Sequence, residues 1–521
     1  MNDSIRIHDG ATGDVTDDFK MACFDLRERL VADKFRPRYH WVAPFGGWND
    51  LNGLMFHQGR YHLGYLQKIG NGPDKIPFSS WQHISSRDLL HWCFHPASLR
   101  EPFPGTHGDY FNSGGVIRGT EVPTIIVNMP RKGICIYQCH DDNLDRWVGL
   151  PENPVIPIAH ERTQQDCQVA PEGARYPECM IFDPSGWKEG ETYYALIGSK
   201  NFRPGYEGDC TSLFQSKDLR HWEYVGPFYK SDRRWTTIED DCACSDFFPF
   251  GDRHMLVMHS HKPYPKSQYY IGRYEDEHFV PERFGQLSWL GSMHFGPETL
   301  EDEKGRRLYW GTVGEATHSR RYCWCNVMTL PWHFIPDSER GLLIAPAEEL
   351  RSLRYDQRRI PDQSLSAGAE ITLQDCDLDC MELQVTFRPA NGGVFGLKVL
   401  CSPDGEEETT LLYDSAAQEI VIDYNKSSGD ESIVYLPYHQ RLRPGQLVQR
   451  IPYALPTRQP LQLTVYVDRS IIEVFVNGHI ATVQRVYPMR ADSHQTRIFS
   501  RDVDVRISDI VRWKMDATNA Y

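Results

Sequence analysis

The sequence predicts an all-β protein, a β-propeller followed by a β-sandwich, and three observations predict it. First, Ser86-Arg87-Asp88-Leu89-Leu90-His91-Trp92 recurs as Ser216-Lys217-Asp218-Leu219-Arg220-His221-Trp222. Second, an Asp-x-x-Gly turn precedes each copy, Asp50-Leu51-Asn52-Gly53 and Asp183-Pro184-Ser185-Gly186, with 38 and 35 residues between the aspartates of turn and repeat. Third, the chain beyond about residue 355 alternates apolar and polar residues with the period of half-buried strands. Short strands, turn residues and a repeat of several tens of residues are the signature of a propeller. The innermost strand of every blade then lines one channel, so residues far apart in sequence converge.

Taken in order, residues 1–35 form an N-terminal extension, with Met21, Phe24, Leu26 and Leu30 suggesting a helix within 15–35. Residues 36–355 form the propeller. Tyr61–Tyr65 and Tyr193–Ile197 read as the strands after the first two turns. Asp246, Gly251 and Met255–Met258 make a third instance, and Glu298, Gly305 and Leu308–Trp310 a fourth. Residues 356–521 form the sandwich: Leu383, Val385 and Phe387 alternate, as do Leu461, Leu463, Val465 and Val467, and Asn477-Gly478 between two apolar runs signals a hairpin.

Composition narrows the function. Apolar residues at 40% and charged residues at 24% are globular values, and the net charge of −15 comes without a basic block. Nucleic acid and anionic membranes are poor partners for such a surface, whereas neutral sugars are compatible with it. The 13 tryptophans suit sugar faces, but composition alone favours the filling of a β-rich core. The polar start, Met1-Asn2-Asp3-Ser4-Ile5, lacks an export signal, and no apolar run reaches the ~18 residues of a membrane span. The expectation is therefore a cytoplasmic protein, with a homo-oligomer left open. Fourteen cysteines then read as reduced thiols. Cys242-x-Cys244 and Cys323-x-Cys325 are too closely spaced for the usual structural zinc pattern, so neither metal nor cofactor is expected.

The chemistry lies in three stations: Trp48–Gly53, Phe182-Asp183-Pro184, and Asp241–Phe248. Sugar-cleaving enzymes need one carboxylate to attack or stabilise the anomeric carbon and a protonated one to assist the leaving oxygen. This chain offers Asp50, a supporting Asp183, and Ala243 where the proton donor should stand.

These residues resemble glycoside hydrolase family 32, the invertases, inulinases, levanases and related fructosyltransferases, from about Arg36 to about Pro488. Arg36–Trp41 followed by Gly47–Gly53 is similar to the family's nucleophile motif, with Leu51 at its usual proline. Phe182-Asp183-Pro184 resembles R-D-P with phenylalanine at the arginine, and Ala243–Phe248 resembles E-C-P-D with alanine at the glutamate. Phe111–Gly115 is similar to the F-S-G-S segment, Leu342–Arg354 to the segment joining the domains, and Val467–Phe475 to the sandwich motif.

The resemblance implies a five-bladed propeller with a C-terminal β-sandwich, and retaining chemistry on a fructose-containing oligosaccharide or disaccharide. It casts Asp50 as nucleophile, Asp183 as transition-state stabiliser, and Asn49 as a residue fixing Asp50 or a fructose hydroxyl. Gln67, Ser113, His294 and Glu298 are further substrate-binding candidates; for His294 a core histidine, and for Glu298 a solvent-facing glutamate, are the competing readings. Phe182 removes a rigid bidentate donor, which points to an atypical fructoside such as a cyclic difructose.

Ala243 admits three explanations. One is a Glu→Ala exchange made to trap substrate, favoured because its surroundings remain site-like. The others are a natural sugar-binding protein without catalysis, and a proton supplied by Glu239, Asp240 or Asp241. An arabinofuranosidase-type propeller is the competing enzyme class.

Overall fold

The computed structural model describes residues 17–44, 46–71, 77–99, 111–129, 132–157, 182–198, 209–316, 324–435, 441–443, 445–456 and 459–519. Among them, five blades of four antiparallel strands surround one axis. The inner strand of each blade is, in order, Gly46–His57, Gly114–Arg118, Pro184–Glu189, Ala243–Phe250 and His294–Glu301. Outward from the first run Arg60–Asn71, Pro77–Ser86 and Cys93–Leu99, and the other blades repeat the meander. The ring closes where Trp324–Cys325, downstream of the fifth inner strand, pairs in parallel with Gly46 and Gly47 of the first.

The repeated heptapeptide makes the same connection twice, from the third strand of a blade to its outermost strand. Asp88 Oδ1 accepts the backbone N–H groups of Leu90 (3.0 Å) and His91 (2.9 Å), and Oδ2 meets His91 Nδ1 at 2.8 Å. Asp218 does the same for Arg220 and His221, at 2.9, 2.9 and 2.7 Å. Leu89 and Leu219 adopt left-handed φ values of 68° and 65°, a conformation the aspartate contacts compensate. The Asp-x-x-Gly segments, in contrast, are not turns between strands. Asp50–Gly53 lies inside the first inner strand, and Asp183 leads directly into the third. Gly53 falls at an irregularity of its channel-lining strand, whereas Gly186 pairs in regular register with Ala195.

Beyond Arg354 two sheets face each other. One contains Arg354–Ile360, Val505–Met515, Cys380–Pro389, Leu461–Asp468, Ile471–Val476 and Ile480–Arg485; the other contains Gln495–Ser500, Val394–Cys401, Thr409–Asp414, Glu419–Asp423 and Val448–Pro452. Leu383, Val385, Phe387, Leu461, Val465 and Val467 fill the space between, as their alternation requires. Asn477 and Gly478 both take positive φ (50° and 65°) at the hairpin. The N-terminal helix spans Asp17–Ala32. Leu30 enters the sandwich core, whereas Phe24 is 56% exposed. Among the described residues no helix is long and apolar enough to cross a membrane.

The sandwich motif Val467–Phe475 has a structural task. Asp468 accepts the N–H groups of Arg38 (2.7 Å), Tyr39 (2.9 Å) and His40 (2.8 Å), and its Oδ2 lies 3.0 Å from His40 Nδ1. Glu473 approaches the other ring nitrogen at 3.4 Å and accepts from Leu330 N and Trp332 Nε1. The segment leading into the first inner strand is thus anchored to the second domain.

Candidate active site

Three of the five inner strands carry the same irregularity at the same level. Trp48 pairs with Gln67 and Leu51 with Tyr65; Ala243 pairs with His259 and Asp246 with Val257; Phe295 pairs with Thr312 and Glu298 with Trp310. Each strand therefore advances three residues while its partner advances two, the geometry of a β-bulge, which bends the strand and re-aims side chains. The bulged pairs are Asn49-Asp50, Cys244-Ser245 and Gly296-Pro297. The alternation of a regular strand breaks at these points, which is why periodicity in the sequence could not reveal them.

Asp50 is tightly located by this geometry. Ser113 Oγ, at the head of the second inner strand, donates to Asp50 Oδ2 at 2.6 Å. Asn52 Nδ2 donates to the Asp50 carbonyl at 2.7 Å, while Asn52 Oδ1 accepts the Gly114 N–H at 2.9 Å. Asn52 ties the nucleophile candidate to the second blade, a role the sequence reading did not assign. Gly296 supplies clearance: a Cβ there would stand 2.9 Å from Asp50 Oδ1, and its φ is +59°.

Asp183 is 4% exposed, and Cys244 Sγ donates to its Oδ2 at 3.7 Å. Burial, followed by the Asp50 and Asp183 carboxylates, holds the Cys244 thiol well above the ordinary thiol range. Burial does the same for Cys242. Both thiols favour the protonated form; Cys323 lies outside the described residues, and no disulfide joins the described cysteines. Ala243 is 1% exposed and packs with Phe182 and Cys244 in a small apolar cluster. The two departures from the family pattern, at 182 and 243, thus touch one another.

Glu298 stands one register step beyond the bulge, level with Asp246, and is buried rather than solvent-facing. Burial, then the Asp246 and Asp50 carboxylates, pushes its carboxyl well above the usual range, with Arg118 acting in the opposite sense. The Glu298 carboxyl therefore favours its protonated form beside Asp50. Asp246 is held by Arg118 Nη1 at 2.5 Å. Arg118 also lines a cavity of about 810 Å³ beyond the C-terminal ends of the inner strands, with Lys188, Glu301 and Arg307.

The remaining expected site residues divide. Asn49 is part-exposed beside Asp50 within the bulge. Gln67 is buried on the second strand of its blade, where a Cβ on Gly46 would lie 3.1 Å from its Nε2; it backs the first inner strand. His294 does not join the channel. Its Nε2 meets Tyr309 Oη at 2.8 Å and its Nδ1 the Leu287 carbonyl at 3.3 Å, and its ring lies against Trp332. Burial pushes it down to about 4, so it is a neutral core histidine. Of the alternative donors, Glu239 is exposed, Asp240 is ion-paired with Lys266, and Asp241 is bonded to His261. Among the described residues, one group of side chains has metal-ligand spacing: His83, His95 and Asp145, on outer strands and a loop away from the axis.

Residues 40–346 match the Glycosyl hydrolases family 32 N-terminal domain and residues 349–514 the Glycosyl hydrolases family 32 C terminal domain. A sucrose-6-phosphate hydrolase of Zymomonas mobilis is 26% identical over 524 residues, covering 94% of each chain. A fructan 6-exohydrolase of Beta vulgaris is 23% identical, covering 93% of this chain and 87% of that one. Among solved structures, fructan 1-exohydrolase IIa from Cichorium intybus superposes with a TM-score of 0.75 at 20% identity, covering 93% of this chain and 98% of that one. Sucrose-6-phosphate hydrolase from Lactobacillus gasseri superposes with a TM-score of 0.73 at 17% identity, covering 96% and 97%.

Proposed function

Because the chain belongs to glycosyl hydrolase family 32, we propose that it is a glycoside hydrolase or fructosyltransferase that opens β-fructofuranosides through a fructosyl ester on Asp50. The observation that carries this reading is the seating of Asp50: one carboxylate oxygen fixed by Ser113, the other facing the side-chain-free Gly296, with Asp183 on a converging inner strand. Asp50 attacks C2 of the fructosyl unit, and water or a sugar hydroxyl later opens the ester. Asp183 accepts hydrogen bonds from ring hydroxyls, which strengthen as positive charge develops at the oxocarbenium-like transition state. Glu298, carrying its proton, is a hydrogen-bond donor toward the same space rather than a second anion beside the nucleophile.

We infer further that no carboxylic acid serves from position 243. The contact of Phe182 with Ala243 supports reading both as parts of one adapted site. That weighs against a single exchange made in an otherwise unchanged pocket, the reading the sequence favoured. The apolar cluster also motivates a second function, a sugar-binding protein without turnover. A panel of sucrose, 1-kestose, inulin, levan and an aryl fructoside separates the two. The enzyme reading expects fructose release that Asp50→Asn abolishes; binding without any release, unaffected by Asp50→Asn, would establish the other.

A further inference from the structure

Next to the vacant acid position, the fourth blade carries a histidine gripped by a buried carboxylate. Ala243 pairs across the ladder with His259; two residues before Ala243 and two after His259, just outside the two strands, lie Asp241 and His261. Asp241 is 2% exposed. Its Oδ1 accepts the His261 backbone N–H at 2.7 Å, and its two oxygens lie 3.1 and 3.0 Å from His261 Nδ1. The His261 ring lies with its centroid 6.4 Å from that of Phe182 and 5.0 Å from that of His259. Phe182 packs on Ala243 and Cys244, and Cys244 donates to Asp183. Diagonal cross-strand neighbours stand about 7–8 Å apart at Cα, so His261 borders the space a longer side chain at 243 would occupy.

The other acidic groups have different tasks. Asp240 receives Lys266 and the Thr237 N–H and hydroxyl. Glu239 faces solvent. Asp246 is held by Arg118, and Glu298, on the fifth inner strand, stands past the bulge at the level of Asp246 rather than at that of Ala243.

We propose that His261, oriented by Asp241, is the proton donor and acceptor of this site in place of a carboxyl at 243; the proposal rests on the fructofuranosidase reading above. A carboxylate on Nδ1 fixes the tautomer, makes Nε2 the reacting nitrogen and balances the charge of the imidazolium. In the first half-reaction, Asp50 forms a bond to C2 as the bond from C2 to the leaving oxygen breaks. That oxygen takes the proton from Nε2, leaving neutral imidazole. In the second, water attacks C2, its proton passes to Nε2, and the ester bond to Asp50 breaks. The imidazolium is restored and the cycle balances. Among the described residues, the charged or titratable groups around His261 include Asp241 on Nδ1, His259 beside it, Lys262 next in the chain, Asp183 beyond Phe182, and the Asp240–Lys266 pair joined through Ser260.

The test compares 1-kestose, whose alkoxide departs poorly, with an aryl fructoside, whose departure needs little protonation. His261→Gln is expected to lower kcat/KM for 1-kestose by about 10²–10⁴-fold, the usual worth of general acid catalysis. It should lower the aryl fructoside rate by less than tenfold and remove the alkaline limb of the 1-kestose pH profile, with Asp241→Asn acting in the same direction more weakly. An equal loss on both substrates, or no loss on either, overturns the proposal. So does a wild-type enzyme that cleaves the aryl fructoside but not 1-kestose, an outcome that leaves the role of Asp50 intact. Aryl fructoside turnover that survives Asp50→Asn refutes the parent reading and this one with it. Should His261→Gln fail to fold, a series of aryl fructosides on the wild type decides the matter: a shallow dependence on leaving-group acidity supports a proton donor, and a steep one overturns it.

Discussion

At the scale of the residue, Asp50 is defined as much by what surrounds it as by its own chemistry. Asp50→Asn should lower turnover by on the order of 10⁴- to 10⁶-fold, as loss of a nucleophile does in comparable enzymes, with thermal stability unchanged. Gly296→Ala is the sharper test of geometry. Its Cβ would meet Asp50 Oδ1 at 2.9 Å in a left-handed backbone, and displacement of a reacting group by about 1 Å costs about 10²-fold. The loss should appear in kcat with the fold retained, as read by circular dichroism. Glu298 gives a stability prediction whose sign is fixed. Its carboxyl is raised by burial, with Asp246 and Asp50 adding to the shift. Its contribution to stability is therefore complete below the unfolded glutamate value of about 4.3 and is lost as pH rises through the folded value. Urea unfolding of Glu298→Gln from pH 5 to 9 should show a gain over wild type that grows with pH; a constant difference would contradict a raised Glu298.

At the scale of the element, the bulges are what the sequence conceals. Short motifs single out Asp50, Asp183 and Ser113 in the sequence, and the heptapeptide repeat was legible because the same aspartate-capped turn is used twice. The bulges were not, because a strand with one extra residue has no periodic signature. For His294 the sequence left a core histidine and a pocket residue side by side, and its ring turns toward Tyr309 and Trp332. The same packing logic bears on restoring an acid. Ala243→Glu alone must fit beside Phe182 in a 1% exposed position, and overpacking costs about 1–3 kcal/mol. Phe182→Arg combined with Ala243→Glu should recover stability relative to Ala243→Glu, by exchanging an apolar contact for a charge-assisted one. Melting temperatures of the two variants check this; a double variant no more stable than Ala243→Glu would show that Phe182 is not the obstacle.

At the scale of the whole molecule, the sandwich holds the segment before the Asp50 strand through Asp468, Glu473 and His40. Burial pulls His40 down, but Asp468 and Glu473 outweigh it and hold the imidazole above its ordinary value; burial raises Asp468, but His40 outweighs it and holds that carboxyl below. The His40 contribution is present below about 6.5 and is lost as pH rises through its folded value. The Asp468 contribution is present above about 3.9 and is lost as pH falls through its folded value. Asp468→Asn should destabilise by about 3–5 kcal/mol, the cost of leaving a buried charge without its partner, while active-site chemistry in the folded fraction changes little. A two-domain fold legible from strand alternation thus has its domain contact in residues that read, in sequence, only as a motif.

The central claim is that this β-propeller forms a fructosyl ester on Asp50. Rapid-quench peptide mapping by mass spectrometry after mixing with an aryl fructoside tests it directly. The account predicts one hexosyl group on the peptide containing Asp50, formed in a burst and absent from Asp50→Asn. A hexosyl group on any other residue, or aryl release without a burst and without an adduct, would contradict it.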